Sequence, residues 1–362
     1  MMKQVAKVMR LKMMIPSRYE LCGNNDTGGM GDILYCKDKH LQRDVIIKLL
    51  KGDAEQRRLI DEQKSLIQLR SKHVVQLYDV VNIDNQSGLV LEFIKGEDLK
   101  NGLYESNMKG LIEVLWQVAC GLSDIHKAGI IHRDIKPNNI RRDNIGVIKV
   151  FDFGLSRKLD SAKTHSVIGT VGYMAPELWK CGEVEFTTAV DVYAFGITAM
   201  ALSNAIVPRE LLEFPPRCAN NGWVKNSLPS LDSDIAEILE RCLEYKPEAR
   251  PTIDQVEKIL RKHLLKDKHK GLIVMGNEVR ELNNQNRRAK ISSIHGNNLN
   301  GEITIEYDSY EFKVAAIGGS VTVNNEVIKV GYILPGASVI TLGSDSNRRF
   351  VTFDISNPEV VS

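Results

Sequence analysis

The chain has 362 residues, of which 43% are hydrophobic and 26% are charged, an ordinary globular composition in a chain long enough for two domains. The formal net charge is only +2, so nothing in the composition indicates nucleic-acid binding. The six cysteines are scattered without a CxxC pair, which argues against a zinc site or a disulfide framework and favours reduced thiols in the cytoplasm.

The N-terminal extension, residues 1–16, begins with a basic, methionine-rich segment that has two open interpretations. The segment predicts either an amphipathic helix that contacts a membrane or a helical lead-in to the folded domain. The longest apolar stretch, Ala189 to Val207, contains Asp191 and is typical of a buried core helix. We therefore expect no membrane anchor.

Residues 17 to about 100 predict strands interrupted by one helix. Short buried strands are expected at residues 74–81 and 89–93. The helix is indicated by four residues at helical spacing, namely Leu59, Glu62, Leu66 and Leu69. Glycines at 28, 29 and 31 leave backbone N–H groups open to a phosphate, and Lys48 ends a strand-like run that begins at Val45. A lysine on a rigid strand can bind phosphate oxygens, and such a lysine needs a carboxylate to hold it in place.

From residue 111 to residue 263 the pattern is mostly helical, with helices predicted at Leu111–His126, Leu231–Leu243 and Thr252–Leu265. Two motifs lie in this region. His132 to Asn139 has the form H-R-D-x-x-x-x-N, and Asp152-Phe153-Gly154 follows it after a short predicted strand.

These two motifs, in this order, resemble the catalytic loop and the metal-binding D-F-G of eukaryotic-type protein kinases. The resemblance implies an α+β, bilobal kinase domain at residues 17–265, with a β-rich lobe at about 17–94 and a helical lobe at about 95–265. The Gly-Gly-Met-Gly form at residues 28–31 is similar to that of bacterial serine/threonine kinases, which implies a bacterial or bacteriophage origin.

The resemblance implies six catalytic residues: Lys48, Glu62, Asp134, Lys136, Asn139 and Asp152. Asp134 would accept the proton of the incoming hydroxyl, and Lys136 would neutralise charge on the transferred phosphoryl group. Asn139 and Asp152 would bind Mg²⁺, with Mn²⁺ as the alternative ion. A lysine at position 136 also implies serine/threonine specificity.

The implied ATP site comprises ten residues: Gly28, Gly29, Gly31, Ile33, Ile46, Lys48, Leu91, Glu92, Ile94 and Asp98. The gatekeeper is Leu91, the hinge runs from Glu92 to Ile94, and Asp98 would accept a ribose hydroxyl. Three residues depart from the family pattern. Asp26 replaces the first glycine, Ile46 enlarges the roof, and Arg141 lies where an aliphatic floor residue is usual, although its stem could still cover a base.

The same resemblance implies regulatory and structural residues. Activation by phosphorylation is expected at Ser161, Thr164 or Ser166, with Thr170 contacting Asp134 and Lys136. The expected structural residues are Arg133 before the catalytic aspartate, Asp191 beneath the catalytic loop, and Glu177 paired with Arg250.

Composition changes after Lys266. A linker is predicted at residues 266–275, and alternating apolar and polar residues from 276 to 362 predict a small all-β sandwich. Residues 318–343 resemble the second half of a forkhead-associated domain, a phosphothreonine-binding sandwich. The family's Ser-Arg-x-His-like segment is not reproduced near Asn297 to Asn300. Arg287 and Arg288 are then either displaced phosphate donors or solvated loop charges.

The predicted function is a cytoplasmic serine/threonine protein kinase that uses ATP and magnesium, acts on protein substrates and phosphorylates its own activation loop. A small-molecule kinase is disfavoured by Lys136, Thr170 and the Ala-Pro-Glu ending at Glu177, which belong to a protein-substrate groove. The remaining alternative is a catalytically weak scaffold whose β domain binds phosphoprotein partners.

Overall fold

The computed structural model describes residues 15–22, 26–27, 31–50, 53–83, 86–158, 163–164, 170–179, 184–296, 298–344, 347–356 and 358–360. Most of the predicted N-terminal extension, residues 1–14, lies outside them. The chain forms two compact units that meet in sequence between Leu260 and Arg261, near the predicted domain boundary. Each unit is described by itself.

The first unit opens with a six-stranded antiparallel sheet in the order β1-β3-β4-β6-β5, with β2 paired to β3. Its strands are β1 (Tyr19–Leu21), β2 (Asp26–Thr27), β3 (Gly31–Asp38), β4 (Arg43–Leu50), β5 (Leu77–Ile83) and β6 (Gln86–Glu92). Along β4, Val45, Ile47 and Leu49 are buried in a small core on one face of the sheet. Because side chains alternate along a strand, Ile46 and Lys48 point to the opposite face.

A single helix, α1 (Asp53–Gln68), follows β4 and packs beside the sheet. Leu59, Glu62 and Leu66 are all buried, and their spacing of three and four residues places them on one side of the helix. Glu62 is thus carried into the interior with the leucines. A carboxylate in such a place requires a partner, because burying an unpaired charge is costly.

The rest of the first unit is mainly helical. Its helices are α2 (Met108–Lys127), α3 (Ala189–Ser203), α4 (Trp223–Ser227), α5 (Ser233–Cys242) and α6 (Ile253–Leu264), the last of which continues into the second unit. Helix α2 begins where the Asn107 side chain accepts a hydrogen bond from the Gly110 amide, and it ends at Ala128 before Gly129. Helix α3 is buried on nearly every side. Among the described residues, no helix combines the length and the apolarity needed to cross a bilayer.

Short antiparallel strands shape the middle of the first unit: β7 (Gly96–Asp98), β8 (Ile130–Ile131), β9 (Ile140–Asp143), β10 (Ile148–Val150), β11 (Arg157–Lys158), β12 (Lys163–Thr164) and β13 (Val184–Glu185). Strand β9 pairs with both β7 and β10. The β7–β9 approach is so close that a Cβ on Gly96 would lie 1.9 Å from the Arg142 carbonyl oxygen. Glycine is therefore required where these strands meet.

The second unit consists of two antiparallel sheets with a shared core. One sheet has the order β15-β14-β22-β21-β19-β20 and the other β16-β17-β18. The strands are β14 (Lys270–Met275), β15 (Glu278–Leu282), β16 (Arg288–His295), β17 (Asn298–Tyr307), β18 (Phe312–Gly319), β19 (Val321–Val323), β20 (Glu326–Val327), β21 (Ser338–Leu342) and β22 (Arg349–Ser356). Ile273 and Phe353 of the first sheet and Ile303 of the second lie in one apolar cluster, as in a β-sandwich.

Two features of the second unit differ from the expectations. Strand β14 occupies residues 270–275, which the sequence assigned to a linker because the preceding run is highly charged. Arg288 begins strand β16 and does not lie in a loop. Residue 297 lies outside the described residues, and Asn298 to Asn300 begin strand β17.

Candidate active site

The loop that follows β8 is held by one buried carboxylate. Asp191, at the start of α3, accepts hydrogen bonds from the backbone amides of His132 and Arg133, both at 2.8 Å. His126 Nε2 lies 2.9 Å from the same side chain. Burial acts to raise the pKa of Asp191, but the hydrogen bonds reverse this and hold the pKa below its usual range. These contacts secure Arg133 in a left-handed conformation at φ 71°.

Asp134 lies at the centre of a small polar cluster. Its Oδ2 accepts from Lys136 Nζ at 2.7 Å and from Asn139 Nδ2 at 2.8 Å. Its Oδ1 accepts from the Thr170 hydroxyl at 2.7 Å. Lys136 also reaches the Thr170 hydroxyl, so the predicted contacts of Thr170 are present. This network fixes the carboxylate orientation, which a base needs if it is to meet a substrate proton.

A second charged cluster joins both lobes of the first unit. Lys48 Nζ on β4 lies 2.8 Å from Glu62 Oε2 on α1 and 2.8 Å from Asp152 Oδ1. Burial favours neutral Lys48, but the two carboxylates overcome this and raise its pKa above the usual value. Burial raises the pKa of Glu62. Burial also acts to raise the pKa of Asp152, but Lys48 outweighs it and the pKa falls.

Two side chains in this region carry oxygens suited to a divalent ion. Asn139 uses its amide nitrogen to donate to Asp134, which leaves the amide oxygen as a ligand. Asp152 uses Oδ1 for Lys48, and its side chain is 45% exposed. The Phe151 amide donates to the Asn139 carbonyl at 3.0 Å, so the two candidate ligands lie on adjoining segments. Mg²⁺ suits such a site, because it takes few protein carboxylates and completes its shell with phosphates and water.

No group of three or more His, Cys, Asp or Glu side chains able to hold a metal occurs in the part of the chain that the structure describes. The predicted donors are one carboxylate, that of Asp152, and one amide oxygen, that of Asn139, and such a pair suits an ion that arrives with substrate phosphates.

A cavity of about 190 Å³ opens between the sheet and the helical lobe. Its lining includes six predicted nucleotide-site residues, namely Ile33, Ile46, Lys48, Leu91, Glu92 and Ile94. Phe93, within the predicted hinge, also lines it, as do Tyr35 and Phe151, which were not predicted. Tyr35 and Phe93 meet edge to face with ring centroids 5.8 Å apart. The signal for Phe151 was its place beside Asp152, whereas the Tyr35–Phe93 contact depends on tertiary structure.

Gly31 and Asp98 are predicted nucleotide-site residues that are not among the described residues lining the cavity, and Glu92 lines the cavity but has its carboxylate engaged elsewhere. Gly28 and Gly29 lie outside the described residues, and Gly31 begins strand β3. The carboxylate of Glu92 pairs with Lys149 at 2.9 Å, so only the backbone of this hinge residue is left for a base. Asp98 accepts from Arg141 Nε at 2.6 Å.

The structure shows contacts for three of the expected structural and regulatory residues, namely Arg250, Arg133 and Thr164. Arg250 donates to both oxygens of Glu177, at 2.7 and 2.8 Å. The Arg133 guanidinium lies 3.8 Å from the centre of the Phe186 ring. The backbone of Thr164 pairs with that of Val184. Of the other candidate phosphorylation sites, residues 161 and 166 lie outside the described residues.

Lowering the pH from 7 to 5 is expected to destabilise the first unit. Burial lowers the pKa of both His132 and His73 below the ordinary value of about 6.5. The unfolded chain then binds more protons than the folded chain below about pH 6.5, so the free energy of unfolding falls as the pH falls. All three tryptophans, at 116, 179 and 223, lie in the first unit, so urea unfolding followed by their fluorescence reports this unit within the full chain.

The variant His73→Asn should flatten this pH dependence, whatever its effect on stability at pH 7. The variant His40→Asn changes an exposed histidine and should leave the slope as it is. A wild-type stability that is constant between pH 5 and 7 would contradict the assignment.

Comparison with known proteins gives a consistent result. The model of the protein kinase domain family matches residues 24–261. Serine/threonine-protein kinase PrkC of Bacillus subtilis is 33% identical over 205 residues, which are 54% of this chain and 31% of PrkC. Serine/threonine-protein kinase PknA of Corynebacterium glutamicum is 31% identical over 204 residues, 52% of this chain and 43% of that protein. Serine/threonine-protein kinase D of Synechocystis is 30% identical over 262 residues, 66% of this chain and 51% of that protein. The chain thus spans about half or less of the length of these relatives.

Proposed function

Because this chain belongs to the protein kinase domain family, we propose that it transfers the γ-phosphoryl group of ATP to serine and threonine hydroxyls of proteins. The observation that carries the proposal is the contact of Lys48 with both Glu62 and Asp152 beside a cavity of about 190 Å³. In kinases, the lysine–glutamate pair and the D-F-G aspartate must both be in place for transfer.

In the proposed reaction, Asp134 orients the substrate hydroxyl and accepts its proton. Lys136 and Thr170 hold the Asp134 carboxylate and keep one face of it for the substrate. Lys48 binds phosphate oxygens, and Glu62 keeps the lysine charged and directed at the cleft. Mg²⁺ held by Asn139 and Asp152 would neutralise charge between the phosphates. Catalysis then rests on positioning and charge stabilisation, without a covalent enzyme intermediate.

The serine/threonine preference is supported by Lys136 and by its contact with Thr170 at 2.7 Å. The relatives named above are serine/threonine-protein kinases, and this supports protein substrates for this chain as well. The organisms of these relatives support a bacterial or bacteriophage origin.

We also propose that the chain phosphorylates its own activation segment at Ser161, Thr164 or Ser166. Arg133 and the pairing of residues 163–164 with 184–185 support an activation segment that acts as a unit.

A labelling assay tests the proposed function. The full chain is incubated with γ-labelled ATP, Mg²⁺ and a generic acceptor protein, and the labelled residues are located by mass spectrometry. Lys48→Met is expected to reduce transfer by about 100-fold or more, because it removes a charge that the phosphates require and leaves Glu62 buried without its partner. Lys39→Met changes an exposed lysine in the same lobe and should retain full transfer.

Absence of label from the wild-type chain with both Mg²⁺ and Mn²⁺ would contradict the proposal. That result would instead favour the catalytically weak scaffold, in which the second unit is the working part. Label on tyrosine alone would contradict the assigned specificity.

We propose for the second unit a forkhead-associated-like role in binding a phosphoprotein. The support is the pair of antiparallel sheets that enclose one core, together with the sequence resemblance of residues 318–343. Arg287 already pairs with Asp267 and Ser309, so its guanidinium is engaged within the unit. Binding of a phosphothreonine peptide library, but not its unphosphorylated form, to the full chain would support this role.

The described cysteines are free thiols, which supports a location in a reducing compartment such as the cytoplasm.

A further inference from the structure

An ion pair forms part of the floor of the proposed nucleotide cavity. Strands β7 and β9 pair with Asp98 directly opposite Arg141, and the Arg141 Nε donates to Asp98 Oδ1 at 2.6 Å. The backbone of Gly96 on β7 lies so close to the Arg142 carbonyl group on β9 that no side chain fits between them, which holds the two strands in this register. Arg141 lines the cavity together with Ile46 and Phe151. A guanidinium, and not an aliphatic side chain, therefore forms part of the surface that a base would meet.

The hydrogen bonds of Arg141 determine which part of its side chain a ligand can contact. Its Nε is bound to Asp98, and its Nη1 lies 3.4 Å from the Ile94 carbonyl oxygen of the hinge. Hydrogen bonds to a guanidinium lie in its plane, so both contacts engage an edge of the group. The Arg141 side chain remains 29% exposed, and its guanidinium already lies over an aromatic ring, with the guanidinium carbon 5.4 Å from the centre of Phe151. A flat, charge-paired face suits an aromatic ring.

We propose that Arg141 is a specificity-determining residue whose guanidinium face stacks on the base of the bound purine nucleotide, held in place by Asp98. The proposal rests on the proposed function, because it concerns the same nucleotide. Asp98 would then serve two groups, the guanidinium through Oδ1 and a ribose hydroxyl through Oδ2. The base would lie between this cationic floor and Ile46 of the roof, and the triphosphate would extend toward Lys48.

The test separates the base from the phosphates. With the full chain in the labelling assay, Arg141→Leu should raise the KM for ATP about tenfold with kcat unchanged, which corresponds to about 1.4 kcal/mol of stacking. The inhibition constant of adenine, which is the base alone, should rise by the same factor. The inhibition constant of tripolyphosphate, which has no base, should remain that of the wild type.

Two further variants identify the contact. Arg141→Lys keeps a positive charge beside Asp98 but has no planar guanidinium on which a base can stack. It should therefore lose about as much ATP affinity as Arg141→Leu. Arg142→Leu changes the neighbouring, exposed arginine of the same strand and should match the wild type in every constant.

Equal KM values for Arg141→Leu and wild type would overturn the inference and leave the kinase function standing. Full affinity in Arg141→Lys would also overturn it, because charge alone would then account for the effect. A wild-type chain that neither transfers phosphate nor binds ATP by calorimetry would overturn the inference and the proposed function together.

Discussion

Replacing Asp134 by asparagine is expected to reduce kcat by about 100- to 10,000-fold, the usual contribution of a positioned acid or base. The substitution keeps the size of the side chain and leaves an acceptor for the Thr170 hydroxyl, but it removes the charge that pairs with Lys136 and the proposed acceptor of the substrate proton. Asp134 is not among the residues that line the proposed nucleotide cavity, so the affinity for ATP should change only a few-fold. Single-turnover kinetics with labelled ATP and a calorimetric titration measure the two quantities.

The matched control for this prediction is Asp44→Asn, which removes an exposed carboxylate on β4 and should leave kcat unchanged. A loss of ATP affinity as large as the loss of kcat would show that Asp134 acts in nucleotide binding. Retention of wild-type kcat would remove Asp134 from the mechanism.

The variant Arg250→Met should lower the free energy of unfolding of the first unit by about 3 to 5 kcal/mol, the usual cost of breaking a buried ion pair from one side. The Arg250 side chain is fully buried and donates to both oxygens of Glu177. It also donates to the carbonyl groups of Ala189, Glu244 and Tyr245. Removing it leaves a buried carboxylate and three backbone acceptors without this donor. Urea unfolding followed by tryptophan fluorescence measures the change.

Two comparisons sharpen the stability prediction. Arg241→Met changes an exposed arginine on α5 and should shift the unfolding free energy by less than about 0.5 kcal/mol. The double variant Glu177→Met with Arg250→Met should recover part of the loss, because the stranded carboxylate is gone. A loss below about 1 kcal/mol in Arg250→Met would show that the pair does not stabilise this unit.

The catalytic loop could be read from the sequence because its contacts are local or are set by a motif. Asp134, Lys136 and Asn139 lie within one short loop, and their mutual hydrogen bonds require little beyond that loop. Helix α1 could be placed because its leucines recur at helical spacing, and Glu62 follows from the same pattern. The register of Lys48 on β4 follows from strand alternation.

Two features could not be predicted from the sequence: the ion pair between Arg141 and Asp98, and strand β14. The Arg141–Asp98 pair exists because β7 and β9 meet in one register, which no local pattern specifies. Strand β14 was assigned to a linker because Lys266 to Lys270 is charged, although the following residues alternate between buried and exposed. Residues 272–275 are all apolar and show no alternation of polar and apolar residues, so periodicity did not indicate a strand there.

The central claim is that Lys48, Asp134, Asn139 and Asp152 gather around one metal-bound nucleotide. The most direct measurement is a crystal structure of the full chain with Mg²⁺ and a non-hydrolysable ATP analogue. The account predicts the ion between Asn139 and Asp152, phosphate oxygens at Lys48, and the γ-phosphate facing Asp134. A nucleotide bound elsewhere, or an ion without contact to Asp152, would contradict it.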